Sequence, residues 1–210
     1  IDSYLQEQLD FSSSNSTRPN EPQDIVLYGF GRIGRLMARL LVQTTGPGNY
    51  FRLKAVVVRK GGENDLVKRA SLLRRDSVHG RFIGTIRVDL DHDLLVVNGN
   101  PVKFIYASGP AEINYEKLGI NKPIVIDNTG IWRDEAALSQ HLDCGASKVI
   151  LTAPAKGDIR NVVFGVNDNS LTDSENNISA ASCTTNANVP DKKILSDQYD
   201  IQNRHIETVH

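Results

Sequence analysis

Cysteine and long apolar runs are scarce in this chain of 210 residues, whose two cysteines are Cys144 and Cys183. Two thiols are too few for a disulfide scaffold, and no Cys and His cluster has the short spacing of a structural zinc site. No apolar stretch approaches the roughly 20 residues of a spanning helix, and the first residues lack the pattern of a signal peptide. We therefore expect reduced thiols, no metal site and a cytoplasmic location.

An excess of charge of one sign is also missing. The chain has 24 Lys and Arg against 25 Asp and Glu, a net charge of −1. No whole-chain field then favours nucleic acid or an anionic membrane, and we expect neither as a partner. Anionic ligands must be held by local groups instead.

The chain changes character after about residue 23. Residues 1–23 join a short amphipathic piece to a Ser and Asn run, which predicts an extension or linker. From Asp24 onward, apolar runs alternate with mixed, helix-like stretches. This alternation predicts an α/β fold with a Rossmann-type parallel sheet covered on both faces. The apolar runs lie at 25–28, 53–58, 102–106, 124–127, 149–152 and 162–166.

Two segments interrupt the alternation. Residues 81–88 and 94–97 read as an antiparallel hairpin inserted in the crossovers, closed by Asn98, Gly99 and Asn100.

The last piece, from Ser182, follows a different pattern. Thr184 and Thr185 can cap a helix, and a later apolar stretch that ends at His210 predicts the first strand of a second domain. We predict a first domain over 24–181 and the beginning of an α+β catalytic domain, cut short, over 182–210.

A glycine motif follows the first predicted strand. Gly29, Gly31 and Gly34 form GxGxxG between a strand at 25–28 and a helix from Arg35. Gly29 permits a tight turn, Gly31 lets a pyrophosphate approach the backbone, and Gly34 lets helix and strand pack closely. The domain is thus predicted to bind a dinucleotide; a glycine turn that binds nothing is the alternative. The predicted contact residues are Gly29, Phe30, Gly31, Arg32, Ile33 and Gly34.

The choice of dinucleotide depends on the end of the second strand. An acidic residue that bonds the ribose diol usually lies at this point of the chain. Here the sequence reads Arg59, Lys60, Gly61 and Gly62, none of which is acidic. Without that carboxylate, Arg59 or Lys60 could pair with a 2′-phosphate, so NAD and NADP are both open. Alternatively the basic residues are solvated, and Glu63 or Asp65 bonds the ribose.

Cys183 and His210 form a candidate catalytic pair. Cys183 precedes the predicted helix, whose N-terminus favours a thiolate, and His210 could take the thiol proton. The alternative for Cys183 is a small buried side chain, which is also the interpretation for Cys144.

Several motifs, in order, resemble the phosphorylating glyceraldehyde-3-phosphate dehydrogenases. The resemblance covers the chain from about Asp24 to His210, and ASCTTN is its most specific part. The motifs are GFGRIGR at 29–35, DSVHG at 76–80, NTG at 128–130, TAP at 152–154, ASCTTN at 181–186, Pro190, and ETVH at 207–210.

The resemblance implies a glycolytic reaction on glyceraldehyde 3-phosphate. Cys183 attacks the aldehyde, His210 acts as base, hydride passes to the nicotinamide, and inorganic phosphate opens the thioester. Ser182 and Thr184 could ligate that phosphate, and the Cys183 N–H with protonated His210 could hold the oxyanion. Thr129 and Thr152 would lie where the cofactor crosses the sheet, unless they are ordinary strand-end threonines.

Some features depart from the family pattern. Asp191 and Lys192 replace apolar residues, Asp200 stands where Gly is usual, and Ala187 replaces a second Cys. The substrate-phosphate groups and the sheet that mediates a homotetramer are expected beyond His210. Three alternatives stay open: a non-catalytic dinucleotide-binding module, a Cys hydrolase of acyl substrates, and a dehydrogenase of a four-carbon phosphorylated aldehyde (erythrose 4-phosphate).

Overall fold

The structure is a computed structural model that describes residues 21–44, 50–199, 201, 203 and 205–209. The predicted extension lies almost wholly outside the described residues, as do Asp200 and His210.

Strands and helices alternate along most of the described chain. The helices are α1 (Arg32–Thr44), α2 (Asp65–Arg74), α3 (Glu135–Asp143) and α4 (Cys183–Gln198). The strands are β1 (Gln23–Tyr28), β2 (Phe51–Val58), β3 (Arg75–Asp76), β4 (Gly80–Arg81), β5 (Ile86–Asp89), β6 (Leu94–Val97), β7 (Asn100–Tyr106), β8 (Ile124–Asp127), β9 (Lys148–Leu151), β10 (Arg160–Asn161) and β11 (Asn177–Ser179).

Nine of these strands form one sheet in the order β10-β11-β9-β8-β1-β2-β7-β6-β5. Every pairing from β10 across to β7 is parallel. Both faces are covered, because Val56 of β2 packs with Ala38 of α1 on one side while its neighbour Val57 packs with Tyr115 on the other. Burial on both faces explains the continuous apolar runs. The prediction of a Rossmann-type parallel sheet is confirmed.

The inserted hairpin is confirmed in part. β5 and β6 pair antiparallel, with Ile86 opposite Val97. The first strand starts at Ile86, because residues 80–81 pair with 75–76 instead. Asn98 and Gly99 join β6 to β7, where Val97 faces Asn100, so they do not close the predicted hairpin. Both residues have positive φ, as a two-residue hairpin turn requires.

The strand predicted at 162–166 is wrong. The Val163 N–H bonds the Asn167 side chain, the Val166 N–H bonds the Val163 carbonyl, and Phe164 is 87% exposed, so this segment turns at the surface. β11 takes the place beside β9. Its sequence, Asn-Ile-Ser, has no apolar run that would have revealed it.

The last helix is present, with a different cap. The Ser182 side chain accepts a hydrogen bond from the Thr185 N–H, so Ser182 is the N-cap and the two threonines lie in the first turn. Residues 205–209 form no strand in the described chain, and the second domain predicted from Ser182 onward stays a prediction. Asp191 and Lys192 are exposed, so neither charge is buried in the described structure.

Candidate functional site

A cleft of about 320 Å³ opens at the carboxyl ends of the central strands. β1 pairs with β2 on one side and with β8 on the other, so the strand order reverses direction here. Ligands of open α/β sheets bind at such a point. The lining includes Gly29, Gly31, Val58, Ala107 and Thr129.

The three glycines of the motif have distinct surroundings. Gly29 has φ +93°, which favours glycine. A Cβ on Gly34 would overlap the Gly29 carbonyl oxygen, so only glycine lets α1 start this close to β1. A Cβ on Gly31 would meet nothing within 4 Å, so the backbone there is open to a ligand.

Arg32 and Ile33 do not line this cleft with their side chains. Arg32 donates to the Ser77 hydroxyl at 2.9 Å, and Ile33 borders a separate groove along α1. Any contact with a phosphate would therefore use the N–H groups of the first turn of α1. Phe30 lines the cleft and packs edge-on against Phe104.

The DSVHG loop holds the arginines beside the glycine turn through Asp76. This carboxylate, 4% exposed, accepts from the N–H groups of His79 and Val78 and lies 3.5 Å from Arg32 Nε and 3.9 Å from Arg35 Nη2. The backbone hydrogen bonds from His79 and Val78 hold the pKa of Asp76 well below its usual range. Sequence reasoning matched this motif to a family but assigned it no function.

Thr129 lines the cleft, and hydrogen bonds to Asp127, the last residue of β8, fix its position. Asp127 Oδ1 accepts from the Thr129 N–H at 2.7 Å and from its hydroxyl at 2.6 Å. Asp127 Oδ2 lies 3.5 Å from Nε2 of His141, and both side chains are fully buried. Tyr28 lies edge-on to His141, and burial raises the pKa of Tyr28 to about 12. Neither Asp127 nor His141 was singled out from the sequence.

Thr152 lies outside the lining of this cleft. Its hydroxyl donates to the Asp127 carbonyl at 3.1 Å and lies 3.3 Å from the Asn128 side chain, so it ties the end of β9 to the end of β8.

The end of β2 brings a basic residue to the cleft. Arg59 lines it, whereas the Lys60 ammonium lies 5.9 Å from the ring centroid of Tyr106, which is not part of the lining. Arg69 of α2 also lines the cleft, and sequence reasoning missed it. Arg69 lies ten positions after Arg59, so only the tertiary structure, in which Arg69 donates to the Arg59 carbonyl oxygen, reveals the pair.

Cys183 is exposed and is the first residue of α4. The interpretation of Cys183 as a buried side chain is therefore wrong. Ala181, two residues earlier, has φ +59°, an uncommon conformation for a residue with a Cβ, and it turns the chain sharply from β11 into α4. The Ser182 cap then fixes the start of the helix, whose N-terminus favours negative charge.

Of the other residues predicted to act near Cys183, Ser182 already forms hydrogen bonds within the helix cap. Ser182 Oγ accepts from the Thr185 N–H at 3.0 Å and lies 2.7 Å from the Thr185 hydroxyl. Thr184 is half-buried in the first turn. His210 lies outside the described residues.

Cys144 has a different environment. It is half-buried, its Sγ lies 3.2 Å from the Pro110 carbonyl oxygen, and burial raises the pKa of its thiol. A structural role fits it.

Two further features are absent from the described ranges. No three His, Cys, Asp or Glu side chains come together as a metal ion would require. None of the helices described is long and apolar enough to cross a membrane.

The amino-acid sequence matches one family of known proteins. Residues 23–135 match the family model "Glyceraldehyde 3-phosphate dehydrogenase, NAD binding domain". A glyceraldehyde-3-phosphate dehydrogenase-like protein of Pseudomonas aeruginosa (strain UCBPP-PA14) is 52% identical over 212 residues, which cover 100% of this chain and 46% of that protein.

Two relatives named glyceraldehyde-3-phosphate dehydrogenase match a shorter part. The one from Thermotoga maritima is 37% identical over 186 residues, covering 89% of this chain and 53% of that protein. The one from Clostridium pasteurianum is 36% identical over 189 residues, covering 89% and 52%. The chain therefore spans about half the length of the curated relatives it matches.

Proposed function

Because this chain belongs to the glyceraldehyde-3-phosphate dehydrogenase family, we propose that it supplies the dinucleotide site and the nucleophile of a phosphorylating aldehyde dehydrogenase. The observation that carries the proposal is the exposed Cys183 at the capped start of α4, in a chain whose parallel sheet has a cleft at its switch point. Glyceraldehyde 3-phosphate is the proposed substrate.

The cleft fits a dinucleotide. Gly31 leaves the backbone open, Gly34 allows α1 to start beside the turn, and the first-turn N–H groups of α1 suit a pyrophosphate. Thr129 borders the cleft directly beside Gly29. When bound, the nicotinamide supplies a hydride acceptor.

Cys183 is the proposed nucleophile. Its sulfur forms a bond to the aldehyde carbon while the thiol proton passes to a base, for which we propose His210 on sequence grounds. The oxygen that becomes negative in this step can accept a hydrogen bond from the Cys183 N–H, an unpaired group of the first helical turn. Loss of hydride leaves a thioester, which inorganic phosphate opens to release an acyl phosphate and the thiolate.

Inorganic phosphate is proposed to bind beside α4. Thr184 supplies a hydroxyl from the first turn. Ser182 Oγ accepts the bond that caps the helix, and its own O–H can donate to phosphate when the Thr185 hydroxyl, 2.7 Å away, is the donor of their mutual bond. The positive end of the helix dipole favours the anion at the same place.

The proposal is tested by cofactor reduction. The longest natural form of the chain is mixed with glyceraldehyde 3-phosphate and NAD or NADP, with and without inorganic phosphate, and absorbance at the reduced nicotinamide band is followed. Phosphate-dependent reduction supports the reaction. Dinucleotide binding without reduction favours a non-catalytic binding module, and erythrose 4-phosphate in a parallel assay tests the four-carbon alternative.

A Cys183→Ser variant with a matched Cys144→Ser control identifies the nucleophile. We expect Cys183→Ser to lose reduction while keeping dinucleotide binding, because a hydroxyl is far less nucleophilic than a thiolate. Cys144→Ser should retain reduction. Near-normal turnover by Cys183→Ser would refute the proposed mechanism.

The proposed assembly and location come from the same family resemblance. We propose a homotetramer in the cytoplasm, which light scattering of the purified protein and cell fractionation would test.

A further inference from the structure

Two guanidinium groups border one end of the cleft. Arg59 directly follows β2, and Arg69 lies on α2; both line the cleft, beside Ala107 and Ser108 at the end of β7. We call this part the Arg59–Arg69 end. It lies past the carboxyl end of β2, where Rossmann-type domains place the adenosine ribose.

The Arg69 guanidinium is held in place. Its Nε donates to Asp65 Oδ2 at 2.7 Å, its Nη2 donates to the Arg59 carbonyl oxygen at 3.1 Å, and its side chain is only 19% exposed. A planar guanidinium fixed in this way loses little freedom when it binds an anion. Arg59, by contrast, is exposed, and its side chain donates to no partner in the part of the chain described.

Within the described part of the chain, the residues that line the cleft include no acidic side chain. The nearby carboxylates already have other partners. Asp65 forms an ion pair with Arg69 and packs against Gly61. Glu112 accepts a hydrogen bond from the Ser108 N–H at 2.8 Å. Glu63 is exposed and outside the lining. Of the described residues, none that lines the cleft therefore offers a carboxylate to bond a ribose diol or to repel a 2′-phosphate.

We propose that the Arg59–Arg69 end binds a phosphate on the 2′ oxygen of the adenosine ribose, so that the chain selects a 2′-phosphorylated dinucleotide. The inference rests on the proposed dinucleotide site. Arg69 is the fixed half of the site and Arg59 the adaptable half, and both guanidinium groups can donate hydrogen bonds to the phosphate. Because Asp65 already pairs with Arg69, the uncompensated positive charge comes from Arg59. Lys60 is not part of the site, because its ammonium lies over Tyr106.

Calorimetric titration of the 210-residue chain with two nucleotides tests this inference. Adenosine 2′,5′-bisphosphate carries the 2′-phosphate, and 5′-AMP lacks it. We expect the bisphosphate to bind about tenfold more tightly or better, as one charge-assisted contact would give. Equal binding, or tighter binding of AMP through Asp65, would overturn the inference and leave the dinucleotide site intact. Binding of neither nucleotide would overturn both.

Variants identify the residues. Arg59→Gln should reduce the preference for the bisphosphate over AMP. Arg69→Gln alone would leave the Asp65 carboxylate without its ion-pair partner. The double variant Asp65→Asn/Arg69→Gln therefore removes both charges at once. Arg74→Gln, on the same helix but bonded to the Ile86 carbonyl, is the matched control. A preference that survives both test variants would overturn the assignment.

Discussion

Asp127 Oδ1 receives two hydrogen bonds from Thr129, one from its N–H at 2.7 Å and one from its hydroxyl at 2.6 Å. The carboxylate is fully buried, and its other oxygen faces Nε2 of His141 at 3.5 Å. A buried carboxylate thus determines where the chain goes after β8, and with it the wall of the cleft.

Asp127→Asn is expected to destabilise the protein and loosen that wall. The amide cannot accept both bonds with the strength of a carboxylate, so we expect the free energy of unfolding to fall by about 1–3 kcal/mol and dinucleotide binding to weaken. Urea unfolding and calorimetric titration measure the two effects. Asp158→Asn, at an exposed position, is the control and should change neither stability nor binding. If Asp127→Asn also leaves both unchanged, Asp127 does not fix the wall of the cleft.

Gly34→Ala and Gly31→Ala should have different effects. The Gly34 Cβ would overlap the Gly29 carbonyl oxygen, a backbone atom that cannot swing away, so we expect a loss of about 1–3 kcal/mol in unfolding free energy. The Gly31 Cβ meets no neighbour, so that variant should keep its stability and lose dinucleotide binding. Denaturant unfolding and titration with NAD separate the two. Equal stability loss in both variants would refute the distinction.

The two cysteines should differ in alkylation rate. Cys183 is exposed at the start of α4, whereas Cys144 is half-buried and its thiol pKa is raised by burial. Iodoacetamide reacts with thiolates, so near pH 7.5 we expect Cys183 to be modified first. Peptide mass spectrometry over time measures both rates, with the Cys183→Ser chain as the control for Cys144. Faster modification of Cys144 would contradict the structure.

Asp76 should make stability depend on pH in the acid range. Its folded-state pKa is lowered, chiefly by hydrogen bonds from the N–H groups of His79 and Val78. Its stabilising contribution is therefore complete above the ordinary carboxyl pKa of about 3.9 and is lost as pH falls below it. The difference in unfolding free energy between wild type and Asp76→Asn should shrink as the pH falls below about 4. Exposed Asp173→Asn is the control, and a difference that grows in acid would refute the assignment.

Much of the fold could be predicted from local sequence. Apolar runs such as 53–58 identify strands buried on both faces, and the glycine spacing places a turn between β1 and α1, because each of these properties depends on neighbours along the chain. The same local signals located Cys183 before a helix. They failed at 162–166, where the Asn167 side chain accepts from the Val163 N–H and the chain turns, and at β11, whose residues have no strand-like pattern.

The sequence by itself determined the order of strands and helices, the glycine turn and the motif around Cys183. Only the tertiary structure decided which polar side chains from different elements meet: Arg69 beside Arg59, Lys60 over Tyr106, and His141 against Asp127. Helix and strand periods follow from local backbone geometry, so a short window of residues reveals them. Contacts between side chains of different elements depend on how those elements pack, which no local window contains.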